Sequence, residues 1–135
     1  MRLWHYKLLP VLPDRFIIAE WREVIAIKRQ WEKGTLKHRL VSYVLNYDVE
    51  VFSNYVRKVI REMEKRNIKF QHKYVDEFIS FCNNDLWICE NYPEHNDRYL
   101  KQCYYNLQEK ADRGIIAQKE WNLIEKNFHN KIHQF

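Results

Sequence analysis

The sequence predicts an all-α fold: a single compact domain of about five helices with an extended N-terminal arm. Three observations carry this. Apolar residues recur at i, i+3, i+4 and i+7 through several long segments. No period-two alternation is sustained. And 46% of the 135 residues are hydrophobic while only 2 are Gly and 3 are Pro, a composition that favours a packed globule with few loops. A chain of this length buries a core without covalent staples. Gly34 and Gly114 stand alone, so neither a P-loop nor a dinucleotide-binding turn can be built, because both need clustered glycines for close backbone approach.

Residues 1–13, MRLWHYKLLPVLP, mix aromatic and aliphatic side chains and are broken by Pro10 and Pro13, which reads as an extended arm laid on the body. Asp14 is a good N-cap for a helix running to about Gly34, where Lys28, Arg29 and Lys33 complement the negative end of the dipole. Ile17, Ile18, Trp21, Val24, Ile25 and Lys28 form its mainly apolar side. Arg15, Ala19, Arg22, Ala26 and Arg29 form a separate stripe in which guanidinium groups alternate with methyl side chains, a surface that a backbone can approach closely. Glu23 lies one turn from both Ala19 and Ala26.

A second helix spans about 48–66, with Phe52, Tyr55, Val56, Val59, Ile60 and Met63 in helical register and Arg57, Lys58, Arg61, Glu62 and Lys65 outside. Further helices are expected at 73–82, 97–113 and 116–128, the last two separated by Gly114.

The formal net charge is +5. Residues 1–40 hold 9 Lys+Arg against 4 Asp+Glu, and the remaining 95 hold 14 against 14, so the whole excess lies in the first 40. Localised positive charge of this kind is the footprint of a polyanion partner, although a solvated basic face is the plainer reading of any charge run. The longest wholly apolar stretch is the proline-broken LLPVLP at 8–13, so neither a signal peptide nor a membrane-spanning helix is expected. Cys82, Cys89 and Cys103 are odd in number and lack CxxC spacing, which fits free thiols and a cytoplasmic location. His129 and His133 share an i, i+4 face and could meet Cys82, Cys89 or His95. They fall where a helix frays, with no HExxH glutamate between them, so no metal or other cofactor is expected.

The chemistry starts at the chain's first residue. An α-amino group titrates about two units below lysine and is partly neutral at physiological pH, which makes it a nucleophile able to attack a sugar C1′ and form an imine. A nearby carboxylate would handle protons or stabilise the developing cation, and Glu23 is the obvious candidate. A single helical Glu beside an Arg is otherwise an ordinary surface residue. Trp4, His5, Tyr6, Trp21 and Trp31 could offer stacking surfaces, but aromatic residues so spaced are more often core, and no binding role is assigned to them.

The stretch IIAEWRE at 17–23, behind an extended arm, resembles the start of the pyrimidine-dimer DNA glycosylases of the phage endonuclease V type. The segment from Lys37 to Lys69, ending in EMEKRNIK, is similar in length and pattern to that family's next long helix, and PEH at 93–95 and NLQEK at 106–110 are weaker echoes. The opening MRLWHYKLLPVLP is closer still to a bacterial subgroup of the superfamily. The resemblance implies that Glu23 is the catalytic carboxylate, that Arg22 contacts phosphate or base, that Lys110 matches a basic DNA-binding position, and that the substrate is damaged double-stranded DNA.

Two departures stand out. Family enzymes use the amine of a small residue exposed when the initiator Met is trimmed, whereas Arg2 should block trimming and leave the amine of Met1 in that role. Position 26, basic in the family, is Ala26, and the family's aromatic, lysine-rich tail is replaced by NLIEKNFHNKIHQF. Arg2, Arg15, Lys28, Arg29, Lys37 and Arg39 are therefore the further candidates for DNA contacts. The expectation is a monomeric repair glycosylase and abasic-site lyase. The alternatives are a non-catalytic basic DNA-binding or accessory protein that kept the fold, and an enzyme acting on another modified base or sugar through Glu23 without the amine.

Overall fold

The computed structural model describes residues 1–82 and 90–133, with side chains up to residue 129. Among these residues are five α-helices and two short 3-10 segments, and no strand. The helices are α1 (Asp14–Lys33), α2 (Val49–Lys65), α3 (His72–Cys82), α4 (Asp97–Asp112) and α5 (Gln118–His133). No helix is long and apolar enough to cross a membrane.

The arm is extended only over its first five residues and then winds into a 3-10 turn, Tyr6–Val11. Its start is fixed by His5, whose side chain caps the backbone N–H of Lys7 over 3.1 Å while its carbonyl accepts from Leu8 over 2.9 Å. Winding turns Leu8, Leu9 and Val11 into the core, and a 3-10 turn tolerates Pro10 because it is short. The turn packs against α2 and α5. Its far end is tied by Arg66, whose guanidinium donates to the carbonyls of Leu9, Pro10 and Leu12 and to Asp14.

Asp14 is the first helical residue rather than the cap; Pro13 holds the cap position, so the acidic side chain sits in the first turn, where the helix dipole favours it. At the other end Gly34 adopts φ +69° and closes the helix as expected, its N–H and that of Thr35 returning to Trp31 and Gln30. The buried face of α1 contains Ile17, Trp21, Val24, Ile25 and Lys28 as the periodicity requires, and also Glu20 and Ile27. Ile18 is only half-buried. The stripe Arg15, Ala19, Arg22, Ala26, Arg29 faces outward, with only Ala26 half-covered.

Helices α1 and α2 pack on each other, α3 lies across both, and α4 and α5 form the second pair. The second 3-10 segment, Ser42–Asn46, carries no helical periodicity in sequence and is held by burial of Val41 and Val44. Trp4, His5 and Trp21 are buried, and Trp31 packs on Phe52 and Phe81, so the aromatic residues near the N-terminus are core. Cys82 and Cys103 are free thiols; Cys89 lies outside the described residues.

Candidate active site

The first four residues run as an arm that pairs with no strand. A buried backbone must find hydrogen-bond partners somewhere, and here side chains from three helices supply them. The N–H of Arg2 donates to Glu23 Oε2 over 3.1 Å, and the N–H of Trp4 donates to Glu20 Oε2 over 2.9 Å. On a strand, residues two apart present their N–H groups to the same side; on a helix, residues three apart share a face. The two carboxyls of α1 thus meet two N–H groups of the arm. From α2, Tyr55 Oη donates to the carbonyl of Trp4 over 2.7 Å and also reaches Glu20 Oε2 at 3.1 Å. From α4, the hydroxyl of Tyr99 donates to the carbonyl of Leu3.

This lacing fixes the residues that follow Met1. Met1 is half-buried against the core, and its α-amine is three covalent bonds from the Arg2 nitrogen that Glu23 holds. The guanidinium of Arg2 lies over the Trp4 ring, 5.6 Å from its centroid.

Glu20 and Glu23 differ sharply in environment. Glu23 is half-exposed. Glu20 is 1% exposed, and burial, followed by the hydrogen-bonding approach of the Glu23 carboxyl, pushes its titration well above the ordinary carboxylate range.

Behind the arm lies a cluster of His5, His95, Tyr43, Tyr55 and Tyr99. The rings of His5 and His95 stand 5.4 Å apart, and Tyr43 Oη is hydrogen-bonded to His95 Nε2 over 2.7 Å. Burial holds both imidazoles neutral, His5 down at about 4 and His95 at about 3, the latter lowered further by its histidine neighbour. The same burial raises the hydroxyls of Tyr43 and Tyr99 far above their usual range.

On another face of α1, which with the start of α3 encloses it, lies an open cleft of about 620 Å³ whose lining includes none of these residues. Its floor includes Trp21 and Phe70, its rim carries Arg22, Arg29, Lys33 and Lys69, and no carboxylate is among its lining residues.

The model of the pyrimidine dimer DNA glycosylase family matches residues 1–76. The chain belongs to that family. No curated protein and no solved structure matches it. Membership carries a general DNA glycosylase role and DNA as the substrate class. The matched span of this glycosylase-family chain holds the arm, both carboxyls of α1 and Tyr55, whereas Tyr99 and His95 reach the arm from beyond it.

The candidate DNA contacts of this family member fall into distinct groups. Arg22 and Arg29 stand on the cleft rim, Arg22 exposed and Arg29 with its guanidinium over Tyr74 and 3.8 Å from Glu77. Lys37 and Arg39 are exposed on the connection after α1. Lys28 is 6% exposed and held between Glu32 at 2.6 Å and Glu77 at 3.3 Å. Arg15 turns to α5, where it grips Glu120 in two bonds of 2.7 and 3.0 Å and the carbonyl of Ile115. Lys110 lies in the last turn of α4, roughly 16 Å along that helix from Tyr99. Among the described residues no group of three His, Cys, Asp or Glu could hold a metal, and His133 is described in its backbone alone.

Sequence reasoning missed Glu20, Tyr99 and His95 as parts of the site. The one local signal was the i, i+3 spacing of Glu20 and Glu23.

Proposed function

We infer that the protein is a DNA repair glycosylase and abasic-site lyase acting on damaged duplex DNA, with the Met1 amine as nucleophile and Glu23 as catalytic carboxylate. The single observation that carries this reading is the bond from the Arg2 N–H to Glu23 Oε2, which ties that half-exposed carboxylate to the residue next to the α-amine.

In the reaction, the amine lone pair forms a bond to C1′ of the damaged nucleotide as the C1′–base bond breaks and the base leaves with its electron pair. Loss of a proton from nitrogen frees its lone pair to form the C1′=N bond as the C1′–O4′ bond breaks and O4′ takes up a proton, opening the sugar to a protonated imine. A base then removes a C2′ proton and the 3′ phosphate departs by β-elimination. Glu23 stabilises the cationic sugar and takes the proton. Phosphates would lie along the rim formed by Arg22, Lys33 and Lys69, with Arg29 shared with Glu77. Opening the duplex costs least where a lesion has already weakened stacking.

Arg2 favours a second reading, a non-catalytic DNA-binding protein, because it departs from the small second residue of the family pattern. Borohydride trapping separates the two. The purified protein is incubated with abasic or ultraviolet-irradiated duplex, reduced, and examined for a covalent adduct and a nicked strand, with intact mass establishing whether Met1 is present. Adduct and nick are expected from the wild type and no nick from Glu23→Gln; duplex binding with neither product would establish the second reading.

A further inference from the structure

Glu20 is a buried carboxyl group with no cation to neutralise it. None of the ion pairs among the described residues includes it. Its Oε2 is occupied by the Trp4 N–H and the Tyr55 hydroxyl, while its Oε1 is sealed from solvent without a partner. The charged and titratable groups around it are Glu23 on its own helix, Tyr55 from α2, Tyr43 from the 3-10 segment before α2, and Arg2 on the arm, whose guanidinium is turned onto Trp4.

Tyr55 has one hydroxyl proton and two oxygens in reach, Trp4 O at 2.7 Å and Glu20 Oε2 at 3.1 Å. The shorter contact is to a carbonyl, which can only accept. An ionised Glu20 would therefore hold a full charge against one backbone N–H and a shared hydroxyl, with one oxygen unsatisfied, a costly state in a dry interior. The Glu23 carboxyl, three residues on along the same face of α1, is among the groups that raise the titration of Glu20. Two carboxylates repel, whereas one proton between them makes a short, charge-assisted bond.

We propose that Glu20 stands as a neutral carboxylic acid whose proton, on Oε1, is donated to the Glu23 carboxylate, making Glu20 the positioning residue that aims Glu23 at the start of the chain. Glu20 touches no substrate. One side of the Glu23 carboxyl is tied to Glu20 and Oε2 is tied to the Arg2 N–H, so the group is held on two sides while its outer face stays open. This inference rests on the reading of Glu23 as the catalytic carboxylate, but the protonation of Glu20 can be tested without it.

The direct test is infrared spectroscopy of the wild type and of Glu20→Gln at neutral pH. A carboxylic-acid carbonyl band present in the wild type and absent from Glu20→Gln is expected; a wild type without that band overturns the proposal whatever the protein does to DNA. The second arm measures single-turnover cleavage of abasic duplex across pH. Gln keeps an acceptor for Trp4 and a permanent N–H donor for Glu23, so Glu20→Gln should retain activity within about threefold at neutral pH and lose the alkaline fall that the wild type shows as Glu20 ionises. Glu20→Leu, which removes the donor, should lose tenfold or more, roughly. An unchanged pH profile in Glu20→Gln, or an equal loss in Gln and Leu variants that both fold, overturns the positioning role. A wild type with the infrared band but no covalent adduct would instead strike only the reading of Glu23.

Discussion

Tyr55 holds Trp4 by its main chain: the phenol of α2 donates to a carbonyl oxygen of the arm over 2.7 Å inside the core. The arm has no neighbouring strand, so this bond replaces part of a sheet ladder. Removing the hydroxyl leaves a buried carbonyl without a donor, which costs about 1–3 kcal/mol. Tyr55→Phe should lower unfolding stability by that amount in urea titrations, and amide exchange at Trp4 should quicken.

Arg66 does comparable work at the far end of the arm. Its guanidinium satisfies three carbonyls and two carboxylates while the side chain is only 17% exposed. Arg66→Ala should destabilise the fold by about 2–4 kcal/mol, because it strands several partners at once. Arg66→Lys should recover little, since an ammonium cannot span the same fork of acceptors. Thermal unfolding of the three proteins checks the order.

His5 and His95 make stability depend on acid. Both stay neutral in the fold, titrating at about 4 and about 3, while the unfolded chain titrates near 6.5. Below 6.5 the unfolded chain binds more protons, so the stabilisation is full above that pH and is lost as pH falls through the folded values. The slope is up to about 1.4 kcal/mol per pH unit for each imidazole. Urea titrations at pH 7 and pH 5 should give a clear loss, and His95→Gln should flatten it.

Glu20 has the opposite sign. Its folded titration is raised above the ordinary 4.5 by burial and by the Glu23 carboxyl, so the fold holds a proton that the unfolded chain releases. Stability contributed by that proton is present below about 4.5 and falls as pH rises, by up to about 1.4 kcal/mol per unit. Glu20→Gln should therefore match the wild type near pH 4.5 and exceed it at pH 7. A variant less stable than the wild type at pH 7 would count against a neutral Glu20.

The basic residues should separate by assay. Arg22 is exposed on the acid-free cleft rim, and Arg22→Ala should weaken duplex binding and reduce the salt dependence of log K by roughly one. Arg15, paired with Glu120, and Lys28, buried between Glu32 and Glu77, should respond differently. Arg15→Ala and Lys28→Met should leave the salt slope unchanged, with any effect appearing in the unfolding transition. Fluorescence anisotropy over a salt series measures the first, and calorimetry the second.

The sequence by itself determined the helices, the face that α1 and α2 turn inward, the stop at Gly34, the concentration of positive charge in the first 40 residues, and the family. These are local properties: helical periodicity and capping act over one or two turns, and a count of charge needs no coordinates. Tertiary structure alone decided which charges are free. Arg15 and Lys28 look like Arg22 in a list of basic residues, but their partners Glu120 and Glu77 come from 105 and 49 positions away. It also decided the site's inner half. Glu20 reads as one more acidic residue on a helix until it meets Trp4 of the arm, which Tyr55 and Tyr99 reach from separate helices. A buried arm without a sheet must satisfy its backbone with side chains, and which side chains those are depends on how α1, α2 and α4 pack, a long-range outcome that no local pattern encodes.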